Sequence, residues 1–264
     1  MLARFGRHNR CRIAVALFLA VCGASPAAFA SDLEDGIEAA KRGDHATALR
    51  LWLPLAENGD AFAQFNIGNL YNNGEGVPQD HAEAAKWYRL AADQGFEYAE
   101  FNMGVFYDRG RGVPQDPAEA AKWYLLAAKK GNVRAQNNLG QLYAHGRGVE
   151  KDTIKAARLY RLAADQGFPG AQMNLGNMYA RGEGVARDPV QAFLWYSSAA
   201  ASFPPQEKKP RDMVLANLGE LVASMTPEQI AEARLALQTW RPGSDPPRCH
   251  SGHPSPRCKS RLPA

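Results

Sequence analysis

The sequence predicts an all-α chain built as a solenoid of stacked helix-turn-helix repeats. Three observations predict it: a 36-residue period that returns four times without insertion, helical apolar stripes closed by glycine inside every period, and a repeat region free of cysteine. A core without cysteine must hold by packing.

The period comes first. From Ala61 the chain divides into residues 61–96, 97–132, 133–168 and 169–204. Each copy has alanine at its third position (Ala63, Ala99, Ala135, Ala171) and asparagine at its sixth (Asn66, Asn102, Asn138, Asn174). Glycine follows at the eighth (Gly68, Gly104, Gly140, Gly176) and tyrosine at the eleventh (Tyr71, Tyr107, Tyr143, Tyr179). Gly74, Gly76, Val77 and Asp80 likewise have identical partners in every later copy.

Each copy reads as two helices. At about 100° per residue, positions 3, 7, 10, 11 and 14 share one face, in the first copy Ala63, Ile67, Leu70, Tyr71 and Gly74. That face is the expected core, and the glycine at position 8 lets the partner helix approach closely. A Gly-x-Gly-Val turn stops the helix. Asp80, Asp116, Asp152 and Asp188 then stand where N-caps belong, with Glu83 and Glu119 placed for capping boxes and Pro117 and Pro189 in the first turn. The second helix carries Ala84, Trp87, Tyr88, Ala91 and Ala92 and ends at Gly95.

Residues 31–60 fit a degenerate copy, with helices over 33–42 and 44–57. Residues 205–240 read as a Pro- and charge-rich linker to about Asp212, then a closing helix pair over 213–224 and 226–240. Thr226, Pro227 and Gln229 supply cap, first-turn proline and box residue. The last segment, 241–264, has six prolines and no apolar period, which predicts disorder.

Residues 1–30 have the layout of a secretory signal peptide. Arg4, Arg7, Arg10 and Arg12 form a basic start, 13–21 is an apolar run too short to span a bilayer, and Ala28-Phe29-Ala30 sets cleavage after Ala30. An uncleaved anchor is the rival reading. Cleavage removes four arginines and no acid, leaving 27 basic and 27 acidic side chains. Such a balance gives no bulk attraction to nucleic acid. No later run of eighteen apolar residues predicts a transmembrane segment. The expected location is the periplasm or the exterior, where Cys249 and Cys258 can pair as a disulfide.

The run from Tyr71 to Asp80 (Tyr-Asn-Asn-Gly-Glu-Gly-Val-Pro-Gln-Asp), followed by Ala84-Ala85-Lys86-Trp87-Tyr88 and Ala91-Ala92-Asp93-Gln94-Gly95, closely resembles the Sel-1-like repeat. This family is a branch of the tetratricopeptide-type helical solenoids. The resemblance implies a right-handed α-solenoid that works as a protein-binding adaptor or scaffold. Secreted bacterial proteins of this kind are similar to regulators of envelope signalling and to exopolysaccharide or host-interaction factors. Some cysteine-rich relatives bind or hydrolyse β-lactams, but the paired cysteines that mark them are missing from these repeats.

Catalytic chemistry finds no foothold. The Gly-x-Gly turns follow helices rather than strands and lack the third glycine of a dinucleotide site. No Gly-x-Ser-x-Gly elbow occurs, and His45, His81 and His145 lie in no zinc motif. Cys249, His250, His253 and Cys258 have no scaffold to fix a metal. Neither an enzyme nor a cofactor is expected. Trp87, Trp123 and Trp195 share one repeat position, which favours core packing over sugar stacking. The asparagines at position 6 can read a peptide backbone or bond stacked units to each other.

A partner would meet the face opposite the core, at positions 2, 5, 9 and 12. These are Phe62, Phe65, Asn69 and Asn72, then Tyr98, Phe101, Val105 and Asp108, then Arg134, Asn137 and Gln141, and last Met173 and Asn177, with Arg109 at the rim. The expected ligand is an extended segment of an envelope protein, bound along this groove with aromatic anchors first. A carbohydrate or peptidoglycan binder is the alternative, and a β-lactam enzyme the third class. For Phe65 and Phe101 two readings stand, ligand-facing anchors or packing between neighbouring helices. Oligomeric state and partner identity are not written in the sequence.

Overall fold

The computed structural model describes residues 26–243: twelve α-helices and, among the described residues, no strand. Helices α1 (Pro26–Lys41) and α2 (His45–Glu57) precede the array. The repeats contribute α3 (Ala61–Asn73) with α4 (His81–Asp93), α5 (Glu97–Arg109) with α6 (Pro117–Lys129), α7 (Val133–His145) with α8 (Thr153–Asp165), and α9 (Pro169–Arg181) with α10 (Pro189–Ser202). Two more, α11 (Lys208–Ser224) and α12 (Pro227–Thr239), close the described chain. The residues before Pro26, most of the segment that reads as a signal peptide, and the tail from Ser244 with Cys249 and Cys258 lie outside the described residues.

Contacts divide the chain into two compact units. The first takes the residues up to Met103 together with Arg111–Pro114, the second Gly104–Gly110 together with the chain from Gln115.

The turn between paired helices is built the same way in each repeat. Gly74 caps α3 in the left-handed conformation (φ 74°), which a side chain would strain, and its N–H donates to Leu70 O. Gly74 is therefore an exposed cap and not a member of the core face expected for position 14. The Asp80 N–H then closes the turn on Tyr71 O at 2.9 Å, and its carboxylate accepts from the N–H groups of Ala82 and Glu83. The expected capping boxes at Glu83 and Glu119 are not made. Both carboxylates turn instead to a lysine three residues on, Lys86 at 2.6 Å and Lys122 at 2.7 Å. Thr226 and Gln229 do form the full box at the start of α12.

Each core is small side chains beneath one large ring. In the first unit Ala63, Ile67 and Leu70 of α3 are buried, as are Ala84, Tyr88 and Ala91 of α4. Tyr88 stands on Gly68 so closely that a Cβ there would sit 2.6 Å from its ring. In the second unit the same relation recurs for Tyr124 on Gly104, Tyr160 on Gly140 and Tyr196 on Gly176. Trp123 and Trp195 are buried and Trp87 is half-buried, which places all three in packing.

Position 4 adds a buried amide. Gln64 Nε2 donates to Ala56 O at 2.9 Å while its Oε1 accepts from Gln94 Nε2 at 2.8 Å. Gln136 repeats this with Ala128 O and Gln166. Gln172 donates to Ala164 O, yet its Oε1 has no partner, because Ser202 occupies the place that Gln94 and Gln166 take in their repeats.

Helix α11 begins at Lys208, five residues before the expected start. Pro210 falls in its first turn, where backbone N–H groups have no intrahelical acceptor and proline forfeits nothing.

Candidate functional site

The predicted groove residues fall into two groups, one in each unit. In the first, Phe65 is half-buried and its ring touches Tyr88, Phe96 and Tyr98 at centroid distances of 5.8, 5.1 and 6.1 Å. Phe62 meets Phe96 edge-on at 6.2 Å, and Phe96 lies 5.8 Å from Tyr98. Phe65 therefore packs between helices, the second of its two readings. The outward rings are Tyr98, 57% exposed, and Phe62, 36% exposed. Phe101 is half-buried. Phe96 was not among the predicted groove residues. It sits at the junction of two repeats, a place the angular count within a helix does not reach.

Two asparagines of this unit are tied to the core. The Tyr88 hydroxyl donates to Asn69 Oδ1 at 2.7 Å and also bonds the Asn102 side chain. Burial raises the Tyr88 pKa well above that of a free phenol. Asn72 is half-buried, and its backbone carbonyl accepts from Gln79 at 2.8 Å. Asn66 turns back on its own helix, donating to Phe62 O.

In the second unit a chain of amides crosses three helices. Asn174 donates to Asn137 Oδ1 at 3.0 Å, Asn137 to Asn138 Oδ1 at 3.3 Å, and Asn138 to the Tyr124 hydroxyl at 3.2 Å. Asn137 is thus a correction: expected on the open face, it is only 6% exposed, because its neighbour in the next repeat covers and bonds it. The position-6 asparagines Asn102, Asn138 and Asn174 bond side chains beyond their own helices, the structural reading of the two offered. Arg134 and Gln141 are exposed, Val105 and Met173 half-buried. Asp108 is held by Arg147 at 2.6 Å, with Arg109 exposed beside it. Burial pushes the Tyr124 hydroxyl up to about 12, against the bond from Asn138.

An open cavity of about 190 Å³ lies at the far end of this unit, lined by Asn177, Arg181, Arg187, Tyr196, Asn217 and Glu220 among others. Tyr196 donates to Asn177 Oδ1 at 2.6 Å and Asn217 Nδ2 reaches the same oxygen at 3.2 Å. Asn217 and Glu220 had given no sequence signal, since α11 reads only as a closing helix. Among the described residues no cluster of histidine, cysteine and carboxylates could hold a metal, and no helix is long and apolar enough to cross a membrane.

The comparisons agree with this geometry. The Sel1 repeat model matches residues 61–96, 97–132, 133–168 and 169–202. A Sel1 repeat protein of Oxalobacter formigenes shares 32% identity, with 82% of this chain and 91% of that one covered at a TM-score of 0.68. A protective antigen of uropathogenic Escherichia coli with an SLR fold shares 30% identity over 80% of this chain at a TM-score of 0.69. The chain spans 46% of that antigen's length. No curated protein matches. Sel1-repeat proteins generally mediate protein–protein interaction and are typically non-enzymatic scaffolds. With four matched repeats covering more than half of its residues, this chain belongs to the Sel1 repeat family.

Proposed function

We propose that this chain is an exported adaptor that holds a protein partner of the cell envelope through the aromatic face of its first unit. The carrying observation is the stack of Phe62, Phe65, Phe96 and Tyr98, in which packing fixes the inner ring while Tyr98 and Phe62 stay open. Pre-fixed aromatic rings lose little freedom on binding, and buried aromatics dominate interface energy. Export rests on the basic and apolar N-terminal composition, with Ser31 the first residue of the exported protein.

The test is crosslinking in cells, comparing wild type with Phe62→Ser/Tyr98→Ser. The expected outcome is one envelope protein captured by wild type and lost from the variant at an unchanged melting temperature. Capture indifferent to the substitutions would sink the reading. Retention of glycan fragments without any protein would move this face to carbohydrate binding.

A further inference from the structure

The repeat pattern extends past the fourth copy into α11. Val214, Asn217, Gly219 and Leu221 have the spacing of positions 3, 6, 8 and 10. Val214 is fully buried like the alanines of position 3, and Asn217 bonds Asn177 of the repeat before it. By sequence and packing, α11 is the first helix of a sixth hairpin.

Among the described residues that hairpin lacks its second helix. In each earlier hairpin a ring stands on the position-8 glycine, Trp52 on Gly36 in the first and a tyrosine in the four repeats. A Cβ at Gly68, Gly104, Gly140 or Gly176 would lie 2.5 to 2.8 Å from the tyrosine ring above it. At Gly219 a Cβ would meet nothing within 4 Å. Position 4 tells the same story: Gln64, Glu100, Gln136 and Gln172 are at most 4% exposed, whereas Leu215 is 45% exposed. Helix α12 does not cover this face. It packs on α10, with Trp240 edge-on to Trp195 at 4.8 Å, and barely touches α11. Residues 244–264 contain no Phe, Tyr or Trp to stand on Gly219.

We propose that the open notch at Gly219, beside the uncovered Leu215, is a docking site for a single amphipathic helix of another protein. That helix carries a tyrosine or tryptophan ring set between alanines and completes the sixth hairpin. The stacking interface of the array continues onto α11, so the array itself specifies the occupant. Its own second helices read Ala84-Ala85-x-x-Tyr88-x-x-Ala91-Ala92, with small residues one turn to either side of the ring. A second copy of this chain is a poor donor, because its five rings already stand in their own notches. The site is separate from the aromatic face of the first unit, and its test does not depend on that reading.

The probe is a capped synthetic peptide of residues 80–95, labelled and added to the exported protein while anisotropy is followed. Wild type is expected to bind it, and Tyr88→Ala within the peptide to weaken binding roughly tenfold or more. Gly219→Leu in the protein fills the notch and weakens binding as much. Its melting temperature does not fall, because open space receives the side chain and leucine is the better helix former. Three results overturn the proposal: no binding by wild type at millimolar peptide, binding indifferent to Gly219→Leu, or self-association of the protein that Gly219→Leu abolishes.

Discussion

A glycine one atom short of alanine decides how close two helices come. Gly176 lies under Tyr196, and a methyl group there would sit 2.6 Å from the ring. Gly176→Ala should therefore cost about 1–3 kcal/mol in urea denaturation, whereas Gly219→Ala, with no neighbour to strike, should stabilise by roughly 0.5–1 kcal/mol. The contrast separates close approach from helix propensity at equal chemistry. A second residue-scale case is the orphan Gln172 Oε1. Ser202→Gln restores the donor that Gln94 and Gln166 provide in their repeats, and should raise stability by about 1 kcal/mol. A flat denaturation midpoint would show that the chain beyond Ser202 has moved the site away. These buried amides were illegible in the sequence for a plain reason. Their partners stand 30 residues away on another helix, and glutamine on its own reads as a surface residue.

At the scale of the element, the second helices depend on charged caps. Asp44 has its carboxyl held below the ordinary range by bonds from Thr47, and Asp152 mainly by the backbone N–H of Lys155. A carboxylate with a lowered folded pKa contributes stability above its unfolded pKa of about 3.9 and loses it as pH falls through the folded value. The melting temperature should drop as the pH is lowered beyond that point, and Asp44→Asn/Asp152→Asn, which keeps capping oxygens without the charge, should flatten the acid limb. An unchanged limb in the double variant would place the sensitivity elsewhere. Helix positions and most caps were legible here, because glycine, aspartate and proline punctuate every turn. The capping boxes were not: at Glu83 and Glu119 a lysine one turn on competes for the same carboxylate and wins. Asn137 escaped for a related reason, since an angular count sees one helix and the covering Asn174 comes from the next repeat.

For the molecule as a whole, four repeats with one tyrosine each at the same buried position give the fold a shared alkaline limit. Burial raises the hydroxyls of Tyr88, Tyr124, Tyr160 and Tyr196, those of Tyr124 and Tyr196 to about 12. A raised folded pKa contributes stability that is fully present below the unfolded value of about 10 and is lost as pH rises through the folded one. Phenolate absorbance should therefore show these four titrating late and together with loss of helicity; early titration without unfolding would mean that water reaches them. The family and its period were legible because identical residues recur at one spacing, while the division of the predicted groove into a ring cluster and an amide chain was not. Which exposed-looking residues bond one another depends on neighbours that differ from copy to copy. The sockets that join one repeat to the hairpin before it do not differ, since a turn glycine (Gly76, Gly112, Gly148 or Gly184) meets the backbone at the start of the preceding second helix at each of them. A 36-residue block cut out or duplicated in the gene would leave matching ends on either side, so the array can change length in a single recombination without inventing a joint. Selection can thus lengthen or shorten such a protein in whole units and tune the faces afterwards.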